Sequence, residues 1–224
     1  MRILAIGAHP DDVECGCAGM LAKCAARGDQ VFACVCTNGE LGSVVIASVE
    51  LVAVREQEAR AGAAIYGAEL WWMGEPDGFL FSEPRAHRQM DEVFEWATPD
   101  LVLAHGPDSY HADHRASGVL AQDAWARRRP VGGGGSALFY MDSEAGIDYA
   151  HSIYVDISDT IQLKLAALAC HRSQLDWILA HDGVDLVAKR RELCRLRGRE
   201  CGAEYAECFR PAWPGGMHWR ALLP

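Results

Sequence analysis

A chain of 224 residues, half of them hydrophobic and 23% charged, is composed like a globular protein and is long enough to bury one full core. Its 21 Lys and Arg against 31 Asp and Glu leave a net charge of −10, which argues against nucleic acid and membrane surfaces as partners, because both call for a cationic footprint. No apolar run reaches the roughly 18 residues of a spanning helix, the N-terminal apolar stretch is too short for a secretory signal, and the nine cysteines form no CxxC pair, so they read as buried reduced thiols of a cytoplasmic protein.

Arg2 to Gly7 is predicted as a first strand, and residues 14–27 as a helix that Gly28 ends. Val31 to Thr37 (VFACVCT) is a second, buried strand. Residues 49–66 read as a helix closed by Gly67, and Glu69 to Met73 as a third strand whose Trp71 and Trp72 pack in the core. A loop with Pro76, Asp77 and Gly78 leads to a helix over about 84–97. Asp100 to Ala104 (DLVLA) is a fourth strand, and SYHADHRASGVLAQDAWARR opens the next helix. RRRPVGGGG is a loop, with 128–136 a candidate lid. ALFYM and IYVDIS are later strands, and helices over about 158–172 and 184–200 precede an irregular tail containing Pro and Trp. Strands alternating with helices, without repeats or a linker, specify a single-domain, Rossmann-like three-layer α/β/α fold over 1–224 with a mostly parallel sheet.

That architecture locates the residues capable of chemistry. Ligands in such sheets bind beyond the carboxyl ends of the strands, where strand order reverses. With the common order 3-2-1-4-5, the first and fourth strands are neighbours. His9, Asp11 and Asp12 in GAHPDD leave the end of the first, and Tyr110, His111 and His114 follow the end of the fourth. Both sets would then face one crevice. An imidazole, a carboxylate and a second imidazole make a three-ligand set typical of catalytic zinc. His111 and His114 share a helix face, so one could bind metal while the other faces substrate; the two aspartates allow the same division between ligand and base. The plainer reading is a helix cap with Asp near the positive end of the dipole. Cys15 and Cys17 point two ways from a helix start and are not read as ligands.

AHPDDVECGCAG followed by HADHRASG resembles the PIG-L/LmbE-like family of zinc-dependent de-N-acetylases, whose pattern is HPDD with a trailing E-x-G-x-x-G and a distant HPDH. TNGELGS (37–43), REQE (55–58), GEPDGFL (74–80), CHRSQ (170–174) and AECF (206–209) resemble family segments in the expected order. Ala112 stands where the family usually has Pro, and Ala18 where it usually has Gly. Neither removes a functional group.

The resemblance implies that His9, Asp12 and His114 bind Zn²⁺, or another divalent transition metal in its place. It implies that Asp11 is the general base and that a protonated His111 faces the oxyanion. The reaction it implies is hydrolysis of the N-acetyl group of a GlcNAc-type amino sugar or conjugate to a free amine and acetate. Arg55 takes the R-x-x-E position, where it binds sugar hydroxyls or pairs with Glu58 on the helix surface. Glu40 is a rim residue or a solvated strand-end charge. Tyr110 lines the substrate mouth or is an ordinary exposed tyrosine. Asp113 orients a histidine or is a helix N-terminal carboxylate. The six other histidines are read as structural. Acceptor choice belongs to loops such as 74–86 and 128–136, in sugar, thiol-cofactor or natural-product metabolism, with a homo-oligomer compatible. Two alternatives stand beside this reading: a metal-dependent phosphoesterase, which the acidic charge disfavours, and a non-catalytic Rossmann-like binding protein, which the lack of G-x-G-x-x-G on the first turn disfavours.

Overall fold

The computed structural model describes residues 1–128, 135–142 and 152–212. In chain order these form β1 (Arg2–Gly7), α1 (Asp12–Gly16), α2 (Ala18–Ala26), β2 (Gln30–Thr37), α3 (Ser48–Ile65), β3 (Ala68–Glu75), α4 (Pro84–Ala97), β4 (Leu101–Ala104), α5 (Ala112–Arg127), β5 (Ala137–Met141), β6 (Ile153–Asp156), α6 (Ile161–Leu168), α7 (Arg172–Asp182), α8 (Leu186–Cys201) and β7 (Ala206–Pro211). The sheet runs β3-β2-β1-β4-β5-β7-β6. From β3 to β5 every pairing is parallel, and β7 is antiparallel to both of its neighbours.

Strand side chains alternate between faces, and in β1 this splits the core in two. Ile3 and Ala5 join a cluster with Met20, Leu21, Tyr66 and Leu165 from the helices of one layer. Leu4 and Ile6 join Met90, Phe94 and Leu120 from the other. The mostly parallel, three-layer α/β/α arrangement expected from the sequence is therefore present, with β1 and β4 adjacent at its centre. None of the nine cysteines is in a disulfide, and six of them fill the core.

Three expectations are corrected. The helix expected over 14–27 is two helices, broken at Cys17 (φ −151°, ψ 7°). A buried ion pair makes the break: Lys164 Nζ donates to Cys15 O at 2.8 Å and to Glu207 at 2.6 Å, while the Glu207 carboxylate accepts from the N–H groups of Gly19 and Met20. Helix end and helix start are thus satisfied by one distant pair. The segment 158–184 holds two helices, α6 and α7; no residue of α7 is buried, so it carries no core-facing apolar stripe to betray it. The tail beyond residue 200 is not irregular throughout. Residues 206–211 form β7, a strand whose buried Glu207 breaks the expected apolar pattern because Lys164 neutralises it. Residues 129–134 of the proposed lid and the Pro- and Trp-containing 213–224 lie outside the described residues.

Candidate active site

The turn from β1 into α1 is unusually tight. A Cβ on Gly7 would stand 2.9 Å from Asp12 Cβ, so glycine is needed for the close approach. Asp11 sits at φ 113°, a left-handed conformation costing a non-glycine residue about 1–3 kcal/mol. Arg55 holds the turn in place. Its Nη2 donates to Pro10 O at 2.6 Å and lies 3.5 Å from Asp11 Oδ2, and its Nη1 donates to Gly39 O. The surface ion pair with Glu58 does not form, because the Glu58 carboxylate accepts from Ser173 N–H and Oγ–H.

Across the adjacent β1 and β4 ends, three donor side chains converge. His9 Nδ1 is 3.2 Å from His114 Nε2 and 3.4 Å from Asp12 Oδ2, and His114 Nε2 is 3.4 Å from Asp12 Oδ1. Tetrahedral zinc ligands bonded at about 2.0–2.1 Å stand roughly 3.3 Å apart, so the spacing fits a metal ion. The remaining ring nitrogens have the partners that metal-binding histidines require. His9 Nε2 meets Asp113 Oδ2 at 3.1 Å and Asp77 Oδ1 at 3.3 Å, and His114 Nδ1 meets Ser109 Oγ at 3.2 Å. Asp113 is buried and also accepts from Gly78 N–H and Leu80 N–H, which ties the loop after β3 to His9. The structure therefore places Asp113 on a histidine as well as in the first turn of α5.

The electrostatics point the same way. Burial favours the neutral His9 ring, but hydrogen bonds to Asp113, Asp12 and Asp77 outweigh it and raise its pKa to about 12. Burial also opposes ionisation of Asp12, yet His114 and His105 hold it well below the ordinary carboxylate range. Asp77 and Asp113 are likewise lowered against burial, chiefly by the hydrogen bond from His9. Buried carboxylates here call for positive charge, and a divalent cation among the same donors would supply it.

His111 is the N-cap of α5: its Nδ1 accepts from Asp113 N–H at 3.2 Å. A nitrogen that accepts bears no proton, so the ring is neutral with Nε2–H as donor. Burial and the charge on His9 lower its pKa in agreement. The expectation of an imidazolium gives way to a neutral donor, set edge-on to His9 at 4.7 Å. Tyr110, exposed, packs its ring 5.3 Å from that of His114.

These residues surround a cleft of about 320 Å³ that includes His9, Asp11, Asp12, Arg55, Tyr110, His111 and His114 in its lining. Leu41 and Gly42 reach it, whereas Glu40 is absent from its described lining, its N–H turned back to Asn38 Oδ1. Two residues of the cluster were missed by sequence reasoning. His105, set among the structural histidines, is buried and stacks on His114 at 3.9 Å and 13°, with Nε2 3.1 Å from Asp12 Oδ2 but not aligned to hydrogen-bond it. Its place one residue beyond β4 was the available signal. Asp77 lay in the quoted GEPDGFL without a role. Among the described residues, three groups of donor side chains here could hold a metal: His9, His111 and His114; Asp12, His105 and His114; and His9, Asp77 and Asp113.

Known proteins resemble this chain in sequence and fold. A family profile described as GlcNAc-PI de-N-acetylase (PIG-L) matches residues 4–125, just over half of the chain's 224 residues. A 1D-myo-inositol 2-acetamido-2-deoxy-alpha-D-glucopyranoside deacetylase of Corynebacterium diphtheriae is 30% identical over 141 residues, covering 50% of this chain, which spans about half (48%) of that relative's length. The diacetylchitobiose deacetylase of Thermococcus kodakarensis is 28% identical over 233 residues, covering 93% of this chain and 82% of the relative. Among solved structures, the N,N'-diacetylchitobiose deacetylase of Pyrococcus horikoshii, in complex with an inhibitor, superposes with a TM-score of 0.81 at 26% identity, covering 93% of this chain and 82% of that one.

Proposed function

This chain belongs to the PIG-L family of GlcNAc-PI de-N-acetylases, and on that premise we propose that it hydrolyses the N-acetyl group of a GlcNAc-type amino sugar or conjugate, with His9, Asp12 and His114 holding a zinc ion. The observation that carries the reading is the convergence of those three side chains, with His9 Nδ1 and His114 Nε2 3.2 Å apart and each 3.4 Å from one of the two Asp12 oxygens, in a cleft that also holds Asp11 and His111. When bound, the metal supplies Lewis-acid polarisation of the amide carbonyl and of the attacking water.

The chain's own groups do the rest. Asp11 accepts a proton as the water oxygen attacks the acetyl carbon. His111 Nε2–H donates to the developing oxyanion, a contribution of about 3 kcal/mol for a well-placed donor. As the C–N bond breaks, the proton on Asp11 passes to the nitrogen, giving free amine and acetate. Arg55 is a positioning residue: it fixes the Asp11 turn through the carbonyls of Pro10 and Gly39. Asp113 and Asp77 orient His9, and Tyr110 borders the mouth of the cleft.

We further read 1–224 as one cytoplasmic domain acting on a small molecule, without nucleic acid or membrane. The net charge of −10 disfavours nucleic acid and anionic membrane surfaces; among the described residues, no helix is long and apolar enough to cross a membrane. The test is release of amine and acetate in equal amounts from N-acetylglucosamine and its glycosides by the metal-loaded protein. Fully metal-loaded protein that releases neither would refute the reading.

A further inference from the structure

The mouth of the cleft carries apolar surface that the reaction above does not use. Leu41, Val44 and Val45 after β2, and Phe79 and Phe81 after β3, are each more than half exposed. The two loops meet: Leu41 N–H donates to Asp77 at 3.2 Å, and Leu41 Cδ1 lies 3.2 Å from where a Cβ on Gly78 would stand. The apolar character continues inward, since Leu41 lines the cleft together with Ile178 of α7 and Leu186 of α8. Residues 41–49, LGSVVIASV, carry no charge in a chain that is 23% charged. Exposed apolar surface of this kind marks a binding surface, and Leu41 and Gly78, which both line the cleft, place it beside the cleft.

We propose that Leu41, Phe79 and Phe81 form a subsite for an alkyl or aryl group on the substrate, so that the preferred substrate is an N-acetylamino sugar with a hydrophobic anomeric substituent. This rests on the de-N-acetylase reading of the cleft. A free sugar or a phosphorylated one leaves these side chains in water, whereas an alkyl or aryl group covers them and removes apolar surface from water.

The test compares kcat/KM for amine release from the methyl and hexyl β-glycosides of N-acetylglucosamine. The hexyl glycoside should exceed the methyl one tenfold or more, and a Phe79→Ser/Phe81→Ser double variant should cut that ratio at least fivefold. The ratio is taken within one protein, so a reduced folded fraction cancels. A ratio near one, or one that the double variant leaves unchanged, would overturn the subsite while the de-N-acetylase reading stands. Equilibrium binding of hexyl β-D-glucoside, which has no amide to cleave, keeps the two readings apart. If no glycoside releases amine but this ligand binds at least tenfold tighter than methyl β-D-glucoside, and the double variant loses that preference, the subsite stands and the reaction fails. Self-association of the wild type that the double variant abolishes, with a flat glycoside ratio, would assign the patch to a second copy of the chain and overturn the proposal.

Discussion

Two buried charged clusters in this molecule are built on opposite terms. Around Lys164 and Glu207 the charges match one to one. The ammonium donates to the carboxylate and to Cys15 O, and the carboxylate accepts two further N–H groups at the start of α2. At the ends of β1 and β4 the terms do not close. Ring nitrogens of His9 and His114 face one another at 3.2 Å, His105 Nε2 is buried without a hydrogen bond, and three buried carboxylates crowd His9. A closed cluster holds a fold together. An open one of this kind presents donor atoms suited to a cation, and it lies beside a cleft.

The first way to break this comparison is to open the closed cluster. Lys164→Met leaves Glu207 buried and unpaired, which should cost about 3–5 kcal/mol. Denaturant unfolding should show the loss, while the protein that remains folded keeps its metal and its kcat. A Lys164→Met protein with wild-type stability would remove the distinction.

Within the open cluster, a large effect without metal loss should come from His111. His111→Ala should lower kcat by about 10²–10³ with little change in KM. It also removes the α5 cap, typically about 1 kcal/mol. His111→Asn separates the two roles, because asparagine can cap the helix. Stability should recover in that variant and turnover should not. Recovery of both would mean that His111 acts only as a cap.

A smaller change sharpens the contrast between donors and their supports. Asp113→Asn keeps the shape but weakens the acceptor for His9 Nε2–H, and metal affinity should fall about 10–100-fold. Competition with a chelating dye measures this directly. Unchanged affinity would leave Asp113 as a loop anchor through Gly78 and Leu80 alone.

The site was legible because it depends on strand order. Once β1 and β4 are neighbours, His9, Asp11 and Asp12 must face Tyr110, His111 and His114, and they do. Asp77 and His105 escaped because each is a single residue without spacing to mark it, and their roles arise from loops that meet only in three dimensions. Arg55 was placed at the right motif, and of its two readings only the surface pair with Glu58 is excluded. Nothing local says that its guanidinium turns inward to Pro10 and Gly39 rather than outward to Glu58. The break at Cys17 and the strand β7 escaped together, because one long-range ion pair between α6 and β7 explains both.

The central claim is that His9, Asp12 and His114 hold the metal while Asp11 moves the proton. It is tested most directly by the divalent-metal content of wild type, Asp11→Asn and Asp12→Ala purified in parallel, each assayed for amine release from one N-acetylglucosaminide. The account predicts about one ion per chain in the wild type and in Asp11→Asn, little or none in Asp12→Ala, and turnover in the wild type alone. An Asp11→Asn protein that loses its metal while Asp12→Ala keeps it would exchange the two roles, and wild-type protein fully active after its metal is stripped would contradict the account.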